Sequence, residues 1–207
     1  MKTCHCLPPA APPSPAFMSP EPRQHLIMAA ALALLLPLAC PAQQLHIDPS
    51  SSSAVFDIDL HSGSRVTGRF ATMQGEVVMR PDGYWQVKMT FAADQTEVPR
   101  HSRYTRLLRG AHFFDSQRHP KIHFVSEPFW PARLQQGGAF HGELNLRGIS
   151  RRERMYLKAS HCSSPFLQCP VEVSGQLSRS AYGMRSLRWA VGDEVRFRLL
   201  LLAHPTP

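Results

Sequence analysis

From residue 54 onward the chain alternates apolar and polar residues with period two, and this constrains its fold more than any other feature. Val171, Val173, Gly175 and Leu177 alternate with Glu172, Ser174, Gln176 and Ser178; Val195, Phe197 and Leu199 alternate with Glu194, Arg196 and Arg198. Leu144 and Leu146 are spaced by Asn145. Such runs place one row of side chains on each face of a strand, so each strand has one face to bury. Arg80-Pro81-Asp82-Gly83 reads as a hairpin turn, with Gly able to take positive φ. The pattern places strands near 54–60, 65–70, 73–80, 84–93, 121–130, 138–147, 152–161, 171–178 and 191–203. Merging neighbouring runs into bent strands brings nine down to eight. Glu97 to Gly110 is the exception, reading as a short helix with Pro99 near its start and Gly110 past its end.

The expected fold is therefore all-β, an extended antiparallel eight-stranded β-barrel with one short inserted helix, in one domain over residues 43–207. Closing the sheet removes exposed edges, and about eight strands leave room for one small ligand. Periodicity alone favours an interior filled by the chain's own large side chains.

Residues 1–42 read as processing rather than fold. A Pro-rich prefix precedes Leu26 to Ala39, an apolar run too short for a comfortable membrane span but suited to a signal peptide core. Arg23 precedes it, small residues follow, and cleavage is expected after Ala42. Lipidation at Cys40 is the weaker alternative, and Met18 or Met28 are alternative starts. Export predicts a periplasmic or secreted protein. Of five Cys only Cys162 and Cys169 remain after cleavage, which in an oxidising compartment points to one disulfide. In the cytosol they would be free thiols.

The chemistry-bearing residues are sparse. No Gly-x-Ser-x-Gly, His-Glu-x-x-His or phosphate-binding loop occurs, so no catalytic residue is assigned. His119 and His123 lie four apart, a spacing that shares a strand face, but Pro120 intervenes and no carboxylate clusters with them; surface or core histidines and no metal site are expected. Asp115 and Asp193 read as turn residues. The net charge of +8 raises the question of anionic partners. Arg100, Arg103, Arg106 and Arg109 spread around the helix, either as a solvated face or as an approach surface for anionic lipid headgroups. Nucleic acid is not expected without a recognition motif.

Several ordered blocks resemble the YceI-like family of periplasmic polyisoprenoid-binding proteins. They are Asp48-Pro49 with Ser52 and Phe56, Val66 to Phe70 with Gly75, Leu108 to Asp115 continuing through His119 to Ser126, Gly142 to Ser150, Ser178 to Met184, and Gly192 to Val195. Together they span Leu45 to about Leu202. Asn145, Arg152, Ala181 and Tyr182 depart from the family pattern. The resemblance implies a lipocalin-like barrel holding an isoprenoid tail in a periplasmic or secreted protein. No cofactor and no enzymatic activity are expected, and the protein is expected as a monomer or homodimer.

With the alternation it marks Phe56, Ile58, Phe70, Phe91, Phe113, Phe114, Phe124, Leu144, Val173, Tyr182 and Phe197 as wall candidates. Leu107 and Leu108 join them as a lid. The implied function is a carrier or store for the tail of an isoprenoid lipid or quinone. Burying ten tail carbons supplies roughly 8 kcal/mol, about micromolar before ordering costs. A self-filled envelope-stress or interaction barrel is the alternative, and a metal-dependent hydrolase using His119 and His123 comes third.

Overall fold

The computed structural model describes residues 43–205. The prefix, the apolar run, the cleavage point and Cys40 lie outside those residues. Twelve strands occur among them: β1 (Gln43–Ile47), β2 (Ser53–Leu60), β3 (Arg65–Phe70), β4 (Met73–Met79), β5 (Trp85–Ala92), β6 (Thr96–Glu97), β7 (Lys121–Ser126), β8 (Gly138–Leu146), β9 (Ile149–Leu157), β10 (Val171–Ser178), β11 (Val191–Leu201) and β12 (Ala203–Pro205). They form one antiparallel sheet in the order β12-β1-β4-β5-β7-β8-β9-β10-β11-β2-β3-β6.

The count is twelve rather than eight because bends interrupt three hydrogen-bonded ribbons. Asp48 to Ser52 separates β1 from β2, Ala71 and Thr72 separate β3 from β4, and Leu202 alone separates β11 from β12. β6 adds a two-residue strand on the free edge of β3. At Leu202 the order runs back on itself, since β11 pairs with β2 and β12 pairs with β1. The Leu202 N–H donates to the Ser52 hydroxyl at 2.9 Å, and its carbonyl accepts from the Asp48 N–H at 2.9 Å. The sheet therefore curls round an interior, consistent with the lipocalin-like barrel class.

The alternation explains the core. On β7, Ile122, Phe124 and Ser126 are buried while Lys121, His123 and Val125 are exposed. β2 buries Ala54, Phe56 and Ile58, and β5 buries Val87, Met89 and Phe91. Salt bridges such as Lys88–Glu76 at 2.9 Å and Lys158–Glu172 at 2.8 Å lie on the outer face, where such pairs add little stability.

The helix is shorter than expected. α1 spans Ser102–Arg109, with Gly110 just past its end. Glu97 belongs to β6, and Pro99 lies in the turn that closes with the His101 N–H donating to the Val98 carbonyl. A second, one-turn helix, α2 (Arg133–Gln136), follows β7. α1 and the loop after β10 stand at one end of the sheet. α2, the turn after β4 and the loop after β9 stand at the other.

Candidate functional site

Two apolar chambers occupy the interior, one toward each end. The larger, of about 90 Å³, lies at the α1 end. Phe56, Ile58 and Phe70 wall it from β2 and β3, Phe91 and Phe124 from β5 and β7, and Leu144 and Phe197 from β8 and β11. Leu108, Phe113 and Phe114 close it from α1 and the segment that follows. Ten of the thirteen expected residues thus meet in one place. Their rings touch: Phe70 has its centroid 5.4 Å from Phe56, 5.2 Å from Phe91 and 5.9 Å from Phe114.

The other three stand elsewhere. Val173 lines the smaller chamber, of about 30 Å³, at the α2 end. Leu107 is on the solvent side of α1, one helical position from the inward Leu108, and is not a wall residue. Tyr182 is fully buried but lines neither chamber. β10 has ended by that point, a 3-10 turn spans Arg179–Tyr182, and the strand period no longer applies. The Tyr182 hydroxyl donates instead to Glu153 at 2.6 Å, and burial first, then Glu153, pushes the phenol above its ordinary pKa.

Phe124 and Leu199 line both chambers and form the partition between them. Beyond it, the smaller chamber is lined by Phe129, Leu134 and Phe140 from the α2 end and by Phe166 from the loop after β9. Phe166 is 1% exposed and sits at φ 69°, inside the loop closed by the Cys162–Cys169 disulfide, whose Cα atoms are 6.3 Å apart. Its carbonyl accepts from the Ala203 N–H at 2.7 Å. No sequence pattern marked Phe166, since it lies in a loop and not on a strand.

Arg179 also went unrecognised, although it continues the inward row Val171, Val173, Gly175, Leu177. It is 1% exposed and borders the larger chamber. The Nε donates to the Gly192 carbonyl at 2.8 Å, Nη1 to Ser186 at 2.8 Å and to Met184, and Nη2 to Val191 at 3.0 Å. The guanidinium also lies 5.6 Å from the Phe113 ring centroid. Through four backbone carbonyls the guanidinium thus clamps the segment from Met184 to Gly192 over the chamber, and desolvation lowers the Arg179 pKa.

The remaining sequence candidates are peripheral to the chambers. His123 points outward from β7, with Nδ1 3.2 Å from the Thr90 hydroxyl, and His119 packs near Gly148. Among the described residues no three His, Cys, Asp or Glu side chains gather as metal ligands. Asp115 is a turn residue at φ 50°, but Asp193 lies within β11 rather than in a turn. Arg100, Arg103 and Arg106 are exposed; Arg109 is turned inward, its Nε donating to the Thr96 carbonyl at 2.7 Å. Arg100 precedes α1 at φ 65°, so the helix itself exposes two arginines, Arg103 and Arg106, and not four. What the chambers offer chemically is apolar surface.

A curled antiparallel sheet around an apolar interior defines a lipocalin-like fold. The YceI-like domain matches residues 45–203, and the chain belongs to that family. No curated protein matches it. Among solved structures it is similar to Burkholderia cenocepacia BcnA, with 19% identity, 75% of this chain and 98% of that one covered, and a TM-score of 0.61. A polyisoprenoid binding domain from Saccharophagus degradans implicated in plant cell wall breakdown shares 12% identity over 78% of this chain and 98% of its own, with a TM-score of 0.57. At these identities the likeness concerns the fold.

Proposed function

We propose that this chain is a periplasmic or secreted carrier or store for the isoprenoid tail of a lipid or quinone, and that it performs no catalysis. The observation that carries this reading is the pair of apolar chambers set end to end behind the partition of Phe124 and Leu199. A polyprenyl tail needs that shape and no polar recognition, because burying each CH₂ supplies about 0.8 kcal/mol. An apolar cavity of about 150 Å³ holds one benzene, so the larger chamber, at about 90 Å³, is too small as it stands for even one five-carbon unit. A tail enters by turning Phe124 and Leu199 aside. The name of the Saccharophagus domain and the family match support the same ligand class. The Cys162–Cys169 bridge supports export, because such bonds persist in oxidising compartments.

The small empty volume favours a second reading, a barrel filled by its own side chains that acts through a protein partner. Native mass spectrometry of the chain recovered from its export compartment without detergent separates the two. An added mass that organic extraction removes and that fragments as an isoprenoid establishes the carrier. A bare mass, unchanged after incubation with polyprenols and quinones, establishes the filled barrel.

A further inference from the structure

The segment from Val98 to Pro120, which contains α1, and the segment from Met184 to Val191 together carry seven arginines and one carboxylate. That carboxylate, Asp115, is buried and faces Arg118 at 3.6 Å. Arg103 and Arg106 on α1, Arg100 before it, and Arg185 and Arg188 on the later segment are all exposed. Among the described residues none of these five lies in an ion pair. On the outer face of the sheet, by contrast, Arg65, Arg69, Arg152 and Arg196 each meet a carboxylate. The acids just beyond the later segment are engaged as well: Asp193 accepts from Ser178 and Ser180, and Glu194 faces Arg196 at 3.3 Å. The two basic segments meet where the His112 Nδ1 lies 3.0 Å from the Ser186 hydroxyl.

Apolar side chains stand among these charges. Tyr104 and Leu107 are exposed on α1, and Trp189 is 80% exposed, the most of any large apolar residue among those described. The backbone around Trp189 is nevertheless held. Its carbonyl lies 3.0 Å from the His61 Nδ1, and the Ala190 carbonyl accepts from the His61 N–H at 2.9 Å. The turn after β2 thus pins the chain while the indole faces solvent. Free guanidinium groups around an exposed indole match an anionic lipid surface, where the cations meet phosphates and the ring settles at headgroup level. A bilayer demands no matching shape, only charge of the opposite sign and an apolar side chain to insert.

We infer that the α1 end of the barrel docks on an anionic phospholipid bilayer, with Trp189 among the headgroups and the five arginines over the phosphates. This surface is separate from the chambers, so the inference holds or fails independently of what they contain.

The test sediments the chain recovered from its export compartment with vesicles of equal parts phosphatidylglycerol and phosphatidylethanolamine, or of phosphatidylcholine alone. Binding to the first is expected at low salt, weakening as salt is added, and binding to the second should be at least about tenfold weaker. Each cation near an anionic surface raises the partition about fivefold, so Arg103→Glu combined with Arg188→Glu should lower it at least about twentyfold. The charge-matched pair Arg154→Glu and Arg198→Glu, exposed on the sheet, should lower it about threefold or less. Lipid brominated in its acyl chains should quench part of the wild-type tryptophan emission, and Trp189→Phe should remove that quenching. No binding to the phosphatidylglycerol vesicles, equal losses for the two arginine pairs, or sedimentation without quenching of Trp189 overturns the docking surface and leaves the carrier reading standing.

Discussion

The ring of Phe56 on β2 lies across the backbone of Gly68, its register partner on β3, so closely that a Cβ on Gly68 would overlap three ring carbons. Phe197 lies over Gly175, its register partner on β10, in the same way, and Phe124 lies over Gly142 on β8. In each pair a glycine on the neighbouring strand lets a large ring lie along the wall instead of standing into the interior. The glycines thereby help to keep the larger chamber open. A single added methyl in such a place forces a ring off its rotamer or moves the backbone.

Gly68→Ala is therefore expected to destabilise the fold by about 1–3 kcal/mol and to weaken tail binding by pushing Phe56 into the larger chamber. Urea melts and a fluorescent prenyl probe measure the two effects. An alanine variant that keeps both stability and affinity would show that the ring has somewhere else to go.

Phe124 separates the two chambers, so truncating it should join them. Phe124→Ala is expected to cost about 3–5 kcal/mol of stability. It should also raise the affinity for a four-unit polyprenol relative to a two-unit one. Phe124→Leu should cost less and shift the ratio less. If the chain-length ratio is the same in the wild type and both variants, the tail does not cross this partition.

The inward rows were legible because strand parity is a local property. Once Phe124 is placed inside, Ile122 follows at two residues' distance, as Leu146 follows Leu144 and Leu199 follows Phe197. Parity fails where a strand stops, so it points to the wall for Tyr182 although a 3-10 turn carries that side chain to Glu153. Arg179 shows the opposite failure: parity points it inward, its charge argues outward, and carbonyls of the following turn and of the start of β11 decide the matter. Phe166 in the smaller chamber and Trp189 at the α1 end depend on loops meeting in space, and no spacing along the chain encodes that. The bends at Asp48 to Ser52 and at Leu202 are likewise long-range, since each supplies the other's hydrogen-bond partners.

The disulfide holds Phe166 in place, and this can be separated from its general stabilising effect. Replacing both Cys162 and Cys169 by Ser releases an eight-residue loop, expected to cost about 2–3 kcal/mol on the loop-entropy account. For a domain of this size that lowers Tm by about 5–10 °C. Phe166 sits at a positive φ that non-glycine residues adopt at a cost, so its loop should open once the bridge is gone. Amide exchange should then accelerate over residues 160–170 and at Ala203, which donates to the Phe166 carbonyl. A uniform acceleration across the whole sheet would mean that the bridge acts on global stability and does not hold this plug.

Asp193 supplies a pH dependence for the clamp around Arg179. Its carboxylate accepts from the Ser178 hydroxyl, and from the Ser180 hydroxyl and backbone N–H at 3.1 Å each. The Ser178 hydrogen bond is the largest cause of a pKa below the ordinary carboxylate value, with Ser180 adding to it. A depressed folded-state pKa contributes stability above the unfolded value of about 3.9, and that contribution disappears as pH falls through the folded value. The contribution is less than about 1 kcal/mol, because the carboxylate faces solvent. The stability difference between the wild type and Asp193→Asn should therefore be constant from pH 8 to about pH 5 and shrink in more acidic solution. Urea melts of both proteins at pH 7 and pH 3 measure it. A difference that is equal at the two pH values would show that the asparagine acts through packing and not through the lost charge.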